Sequence, residues 1–422
     1  MEIQKGYKFR IYPTKEQEIF LSNQFGGVRF IYNYFLNRRK EEYLINKKSS
    51  SYYKDAKYLT ELKQQDGYEW MNNIDSQALQ QSLRHLDTAY NMFFREICDF
   101  PQFKRRSNNQ SFTTTQGFGI EDNILYIPKL KTLIKITQDR ELPSKPVSVT
   151  ISKTSSGKYY ASFTCKFEQE PLPKSENKIG IDLGIKELVI TSNGDHFTNP
   201  KLTKQFQKEL AHKQRKLSKK KKGSKNRNRA RIEVAKVHEN ISNMRLDLLH
   251  KISRKLVNEN QVIIAEDLNI EGMLKNHKLA KAIQDVSWGE LIIQLRYKAE
   301  WAGRTFYQIS TWFPSSKTCN DCHYIMDKLP LNIRTWICPN CHTEHDRDIN
   351  AAKNILEKGL KDLEDLKNDQ KISNKIEKSG LGTKSDLKQK LVESPTSVSK
   401  KLKKSSKQVG VKKQEISDSF QK

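Results

Sequence analysis

Cysteine is scarce. Six in 422 residues cannot build a disulfide scaffold, so a reducing cytoplasm is the expected compartment. No apolar run approaches the roughly eighteen residues a membrane-spanning helix needs. Met1-Glu2-Ile3-Gln4-Lys5 lacks the charged-then-apolar pattern of a secretory signal. Acid is also in short supply: 49 Asp and Glu face 76 Lys and Arg, leaving a formal charge of +27. That excess points to a polyanionic partner, nucleic acid first and an anionic membrane surface second. Apolar residues make up 36 %, low for one packed domain, so part of the chain is expected to be solvated. The length suits about two to four domains.

What is there falls into blocks. Tyr7, Phe9 and Ile11 alternate with basic residues, a strand pattern that Pro13 ends. Thr14 with Gln17 forms a capping box for a helix from Lys15, and 14–105 reads as mostly helical. Its clearest helix is Ser76 to Phe94, with Leu79, Leu83, Leu86, Tyr90, Phe93 and Phe94 as a core stripe. From 106 to 172 short alternating runs and the turn Ser155-Ser156-Gly157-Lys158 predict a small antiparallel β-domain. The strand at 1–13 can pair into it, leaving the helical block as an insertion. After a linker at Pro171–Ser175, 173–315 reads strand, hairpin, helix, strand, helix, strand, an α/β domain with a mixed sheet. A last helix follows over 344–358. The remainder, 359–422, thins in apolar residues and carries seven lysines without an acid between Lys400 and Lys413, a weakly helical to disordered basic tail.

Cys319-Asn320-Asp321-Cys322 and Cys338-Pro339-Asn340-Cys341 stand fifteen residues apart, within 316–343. Two such knuckles aim four thiolates at one structural zinc, with a hairpin expected through Ile333–Ile337. His323, His342 and His345 lie close by and are expected to lose as ligands. Cys98 and Cys165 stand alone and read as core thiols.

Three carboxylates form a second pattern. Asp182 is the only charge between Ile179 and Ile185, on the strand face it shares with Gly180 and Gly184. Buried without a partner it would be costly, an objection a metal ion removes. Glu266 ends the apolar strand Val262–Ala265, where alone it reads as a strand-terminating surface charge. Asp348 opens the last helix on the face of Ala352, where alone it reads as a dipole-complementing acid. Together they offer hard oxygen donors for magnesium or manganese, and a pair of such ions suits phosphodiester hydrolysis.

Gly180-Ile181-Asp182-Leu183-Gly184, Ala265-Glu266-Asp267-Leu268, the paired Cys-x-x-Cys and Asp346-Arg347-Asp348-Ile349-Asn350-Ala351-Ala352 resemble the TnpB (OrfB-type) proteins of bacterial insertion sequences. Tyr7–Pro13 and Pro314-Ser315-Ser316-Lys317 resemble them too, and the likeness runs from about 5 to 357. Type V CRISPR nucleases share that nuclease core. The resemblance implies an RNA-guided DNA endonuclease that works in the bacterial cytoplasm at the nucleoid. It implies a ribonuclease H-like (RuvC-like) nuclease domain with an inserted four-cysteine zinc ribbon. Before it would stand a small β-barrel-like wedge domain carrying a helix-turn-helix-like recognition insert. Asp182, Glu266 and Asp348 would be the catalytic carboxylates and magnesium ligands, and Cys319, Cys322, Cys338 and Cys341 the zinc ligands. The implied partners are a guide RNA from the element's end and target DNA beside a short flanking motif. No membrane or small-molecule substrate is expected, and a monomer is.

Nucleic-acid contacts are placed by charge alone. Lys213 to Arg231 holds eleven Lys and Arg in nineteen residues, among them Lys219, Lys220, Lys221, Lys222, Arg227 and Arg229. It reads equally as a solvated helical pair or as a phosphate contact. Lys104 and Arg105 sit beside aromatics, which suits backbone gripping or a surface hairpin. Gln77 and Gln80 share a helix face that could read adenine. Two rival readings are a strand-joining transposase using the same carboxylates and a non-catalytic regulator of the element.

Overall fold

The computed structural model describes residues 1–379 apart from 48, 49, 108, 278 and 331, with side chains to 369. The tail from 380, including Lys400–Lys413, lies outside the described residues. β1 (Glu2–Tyr12) leads into α1 (Lys15–Asn46), α2 (Tyr52–Leu62), a 3-10 turn and α3 (Ser76–Phe94). The Thr14–Gln17 capping box is present in full. Then come β2 (Gln110–Thr114), β3 (Gly119–Glu121), β4 (Ile124–Tyr126), β5 (Ile134–Thr137), β6 (Ser148–Lys153) and β7 (Tyr159–Glu168). They join β1 in one antiparallel sheet ordered β2-β6-β7-β1-β5-β4-β3. β1 runs along β7 from Glu2↔Glu168 to Ile11↔Tyr159, so the first strand is interior to a sheet made much later in the chain. The sheet's ends, β2 and β3, are not hydrogen-bonded to each other among the described residues. Phe9, Ile11 and Phe163 share one core with Leu21, Phe35, Leu79 and Leu83 of the helices, which fixes the helical block onto the sheet.

The second half holds β8 (Lys178–Asp182), β9 (Glu187–Thr191), β10 (His196–Thr198), α4 (Leu202–Gln205), α5 (Gln207–Ser218) and α6 (Lys225–Glu259). It continues with β11 (Val262–Glu266), α7 (Ile270–Leu274), α8 (Ala280–Val286), α9 (Trp288–Ala302), β12 (Thr305–Ile309), β13 (Thr335–Ile337), β14 (Glu344–Asp346) and α10 (Arg347–Ser379). The sheet order is β10-β9-β8-β11-β12, with β8, β11 and β12 parallel and β9 antiparallel to both its neighbours, β8 and β10. Alternation sorts its two faces. Ile179, Ile181, Ile263 and Ala265 meet α6 and α9 through Ile252, Leu256, Leu295 and Ala299. Ile264 meets α10 through Ile355 and Leu356.

Several expectations are corrected. The last helix does not stop at 358 but runs to Ser379, because Gly359 and Leu363 continue the face packed on the sheet. Cys165 is buried, but Cys98 is exposed, since it falls in the turn beyond α3. The α3 stripe is buried at Leu79, Leu83 and Leu86, while Phe94 at the frayed end is 65 % exposed. No described helix is long and apolar enough to cross a membrane.

Candidate active site and zinc centre

The register of two parallel strands builds the acidic face. Ala265 pairs with Ile181, so the next residues, Glu266 and Asp182, stand side by side at the carboxyl ends of β11 and β8. Both share the face of Gly180 and Ile264, which is the face α10 covers. Gly180 is required there by close approach. A Cβ at this position would lie 2.1 Å from the Ala352 carbonyl oxygen and 2.8 Å from Leu356 Cβ. With the helix drawn that near, Asp348 in its first turn lies close enough to raise the pKa of Asp182.

The electrostatics follow from burial and crowding. Asp182 is pushed up to about 6, by burial first and then by Asp348. Glu266 is pushed up to about 7, by burial first and then by Asp182 and Asp267. Asp348 is engaged differently. Arg334 Nη1 donates to its two oxygens at 3.0 and 2.8 Å. Among the described residues, the donor groups lying within 4.8 Å of one another are the four cysteines and Cys319–Asp321–His345. The three carboxylates share a face but are not drawn to that distance.

The four cysteines do converge. Cys319 Sγ lies 3.6 Å from Cys341 Sγ, and Cys322 Sγ 3.6 Å from Cys338 Sγ. Tetrahedral zinc at about 2.3 Å from each sulfur sets neighbouring sulfurs about 3.8 Å apart, so the set fits that ion. The two knuckles share one design. His323 N donates to the Cys319 carbonyl and His342 N to the Cys338 carbonyl, both at 2.9 Å, and both histidines sit at φ +59°. Neither histidine joins the four-cysteine set. The hairpin is placed differently from expectation. β13 enters the second knuckle and β14 leaves it, so Cys338–Cys341 is the hairpin tip itself.

Two asparagines, given no role by the sequence reading, bolt the ribbon to α10. Asn350 Nδ2 donates to the Thr318 carbonyl at 2.7 Å, and Asn354 Nδ2 to those of Ser315 and Thr318 at 2.8 and 2.6 Å. Their i, i+4 spacing on a helix is the signal that could have found them. Arg334 was also missed. It precedes β13, and its carbonyl accepts from Arg347 N at 2.7 Å, which sets it beside Asp348.

A protein from Streptomyces pristinaespiralis named "Putative RNA-guided DNA endonuclease" is 41 % identical over 363 residues, covering 85 % of this chain and 90 % of its own. The chain belongs to the OrfB (TnpB) family. The family model described as "Probable transposase" matches 160–277, which brackets Asp182 and Glu266. A Cas12f1-like TNB domain model matches 288–355, which brackets the four cysteines and Asp348, and a helix-turn-helix model matches 1–48. A second relative, "Putative RNA-guided DNA endonuclease InsQ" of Escherichia coli K12, is 31 % identical over 84 % of this chain and 92 % of its own. The solved mini-RNA-guided endonuclease CRISPR-Cas_phi3 overlays 85 % of this chain and 92 % of its own at 9 % identity and a TM-score of 0.43.

The charged segments are dispersed. Lys219–Lys222 are exposed in the turn between α5 and α6, and Arg229 is exposed on α6. Arg227 is spent within that turn, donating to the Leu217 and Lys220 carbonyls at 3.0 Å each. Gln77 is held by Thr115 and Gln116 at 3.1 and 3.3 Å, while Gln80 is half-buried. Lys104 lies 4.0 Å over the Tyr32 ring, and with Arg105 it lines a cleft against Arg29 and Gln110.

Proposed function

We propose that the chain is a transposon-associated, RNA-guided DNA endonuclease that cuts beside a short flanking motif by metal-dependent phosphodiester hydrolysis. The observation that carries this reading is the register that sets Asp182 beside Glu266 on the sheet face covered by the helix that bears Asp348. The strand order of that sheet, third-second-first-fourth-fifth with only the second strand running against the others, supports a ribonuclease H-like (RuvC-like) nuclease domain. The names of the family relatives support RNA as guide and DNA as target.

Asp182 and Glu266 fit a divalent cation because burial and a neighbouring acid make the charged form of each costly, a cost that a cation relieves. Magnesium or manganese held by the three carboxylates would supply an activated water and charge for the leaving oxygen. The chain's own part is to fix the donors. Parallel register aligns Asp182 and Glu266, and the glycine contact sets the height of Asp348. Arg334 orients Asp348 through hydrogen bonds to both its oxygens. The zinc ribbon is structural, since all four donor positions are thiolates. The guide pairs with the target strand while the protein reads duplex shape and the flanking motif, in the manner of other guided nucleases. The protein works as a monomer, with the guide drawn from the element's own end.

The test is co-expression with RNA from the flanking DNA, then incubation with a plasmid library carrying a randomised flank and magnesium. Guide-dependent cuts that vanish in Asp182→Ala are expected. Bound RNA without cutting, or cuts that persist in the variant, would defeat the proposal.

A further inference from the structure

One row of β1 faces inward: Ile3, Phe9 and Ile11 are buried in it, yet Lys5 stands in the same row, half-buried. Its ammonium lies 5.5 Å from the Tyr7 ring and 5.7 Å from the Trp301 ring of α9. One turn before Trp301, Lys298 Nζ donates to Ser253 Oγ at 2.7 Å and to the His250 carbonyl at 3.1 Å on α6. Arg254 follows Ser253 directly. Arg140, between β5 and β6, reaches the same strand over the Phe9 ring at 5.9 Å. Two hydrogen bonds pin the seam: Leu172 N donates to the Ala302 carbonyl at 3.0 Å, and the Gln169 side chain donates through Nε2 to that of Trp301 at 3.3 Å. Four cations from four chain segments thus meet where the two sheets' units join.

Neutralising acid is wanting. Arg140 has Asp139 at 3.3 Å, Asp247 pairs with Lys251, and Glu290 accepts from Gln294. Among the described residues, Lys5, Arg254 and Lys298 form no ion pair. They repel instead. Lys298 is pushed down to about 8, by burial and then by Arg254 and Lys5. Lys5 is lowered by burial, then by Arg254 and Arg140. Half-buried like charges oppose folding, and an anion seated between them would relieve that repulsion. Beside them Tyr297 and Trp301 pack with ring centroids 4.6 Å apart, and cations next to aromatic faces are the usual means of gripping a nucleic-acid strand.

We propose that Lys5, Arg254 and Lys298, with Trp301 beside them, form a binding site for a nucleic-acid phosphodiester at the seam between the two sheets. The site deepens the function proposed above and rests on it for the class of ligand. RNA and DNA offer the same phosphate, and the test separates them.

The full-length protein and its Lys5→Gln, Lys298→Gln and Lys298→Arg variants are titrated with single-stranded RNA and DNA of one sequence over a series of KCl concentrations. Lys328→Gln, exposed on the zinc ribbon, is the control. Each Gln variant is expected to bind about tenfold more weakly. Its log affinity should depend on log salt with a slope shallower by about 0.7. Lys298→Arg should bind as wild type, and Lys298→Gln should melt at a higher temperature without nucleic acid. Weakening confined to RNA assigns the site to the guide; weakening confined to DNA assigns it to the target. Unchanged affinity and slope in both Gln variants overturns the site, whatever their melting temperatures. If the wild type also cuts under guidance, the endonuclease reading survives that result. Weakened binding in a protein that never cuts under guidance would keep the site and remove the endonuclease.

Discussion

Arg334 grips both oxygens of Asp348 through a single nitrogen, and the two residues come from different modules, the zinc ribbon and the last helix. The ribbon therefore reaches the acidic face of the nuclease sheet directly. Its cation occupies the carboxylate that a metal ion would claim.

Competition between that guanidinium and magnesium has a measurable sign. Arg334→Gln should lower the midpoint of the magnesium-dependent rise in melting temperature by about fivefold, the scale of a partly exposed ion pair. Zinc content should stay at the wild-type level. An unchanged midpoint would show that Arg334 does not compete.

Asp182 should cost the free protein stability. Its folded pKa of about 6 exceeds the ordinary 3.8, so the native state holds the proton more tightly than the unfolded chain. Stability therefore falls as pH rises from about 4 through 6, and the loss is complete at pH 7. Asp182→Asn should accordingly stabilise the metal-free protein at pH 7 by about 2 kcal/mol and give nothing at pH 4. Denaturant melts at the two pH values measure this, and the same variant should cut no DNA.

Removal of one thiolate should dismantle the ribbon without melting the sheets. Cys338→Ser is expected to purify with little zinc by atomic absorption and to lose guided cleavage, because β13 carries the segment that positions Arg334. The main unfolding transition should move by only a few degrees. Full zinc occupancy in the variant would contradict the four-thiolate assignment.

Gly180→Ala places a methyl group against backbone rather than a flexible side chain, at 2.1 Å from the Ala352 oxygen. Either strand or helix must shift, which should cost about 2–4 kcal/mol and displace Asp348. Calorimetry reads the first effect, and cleavage by protein still folded at low temperature reads the second.

Much of this was legible because local chemistry decided it. Thr14 and Gln17 cap α1 by bonds that only those neighbours make, and Gly157 and Gly194 turn their hairpins at φ +89° and +86°. The alternation around Asp182 told which residues would share its face. Arg334 was illegible because its partner is set by the pairing of Thr335 with Asp346, a register no local pattern announces. The end of α10 misled for a related reason. The thinning of apolar residues after 358 suggested an end there, but a Cβ at Gly359 would lie 2.3 Å from Ile264, so the glycine marks continued close packing. Arg227 shows the limit of reading charge, since its guanidinium serves its own turn.

The order in which the acidic face is completed has a temporal side. Asp182 and Glu266 leave the ribosome well before Asp348, and the helix carrying Asp348 can dock only after the ribbon has been made. A nascent chain therefore carries two of the three carboxylates, with the third still unmade, while the stretch from Glu266 to Asp348 is synthesised. On the proposed assignment, a translating ribosome holds an inert nuclease until the ribbon and the start of α10 have been made.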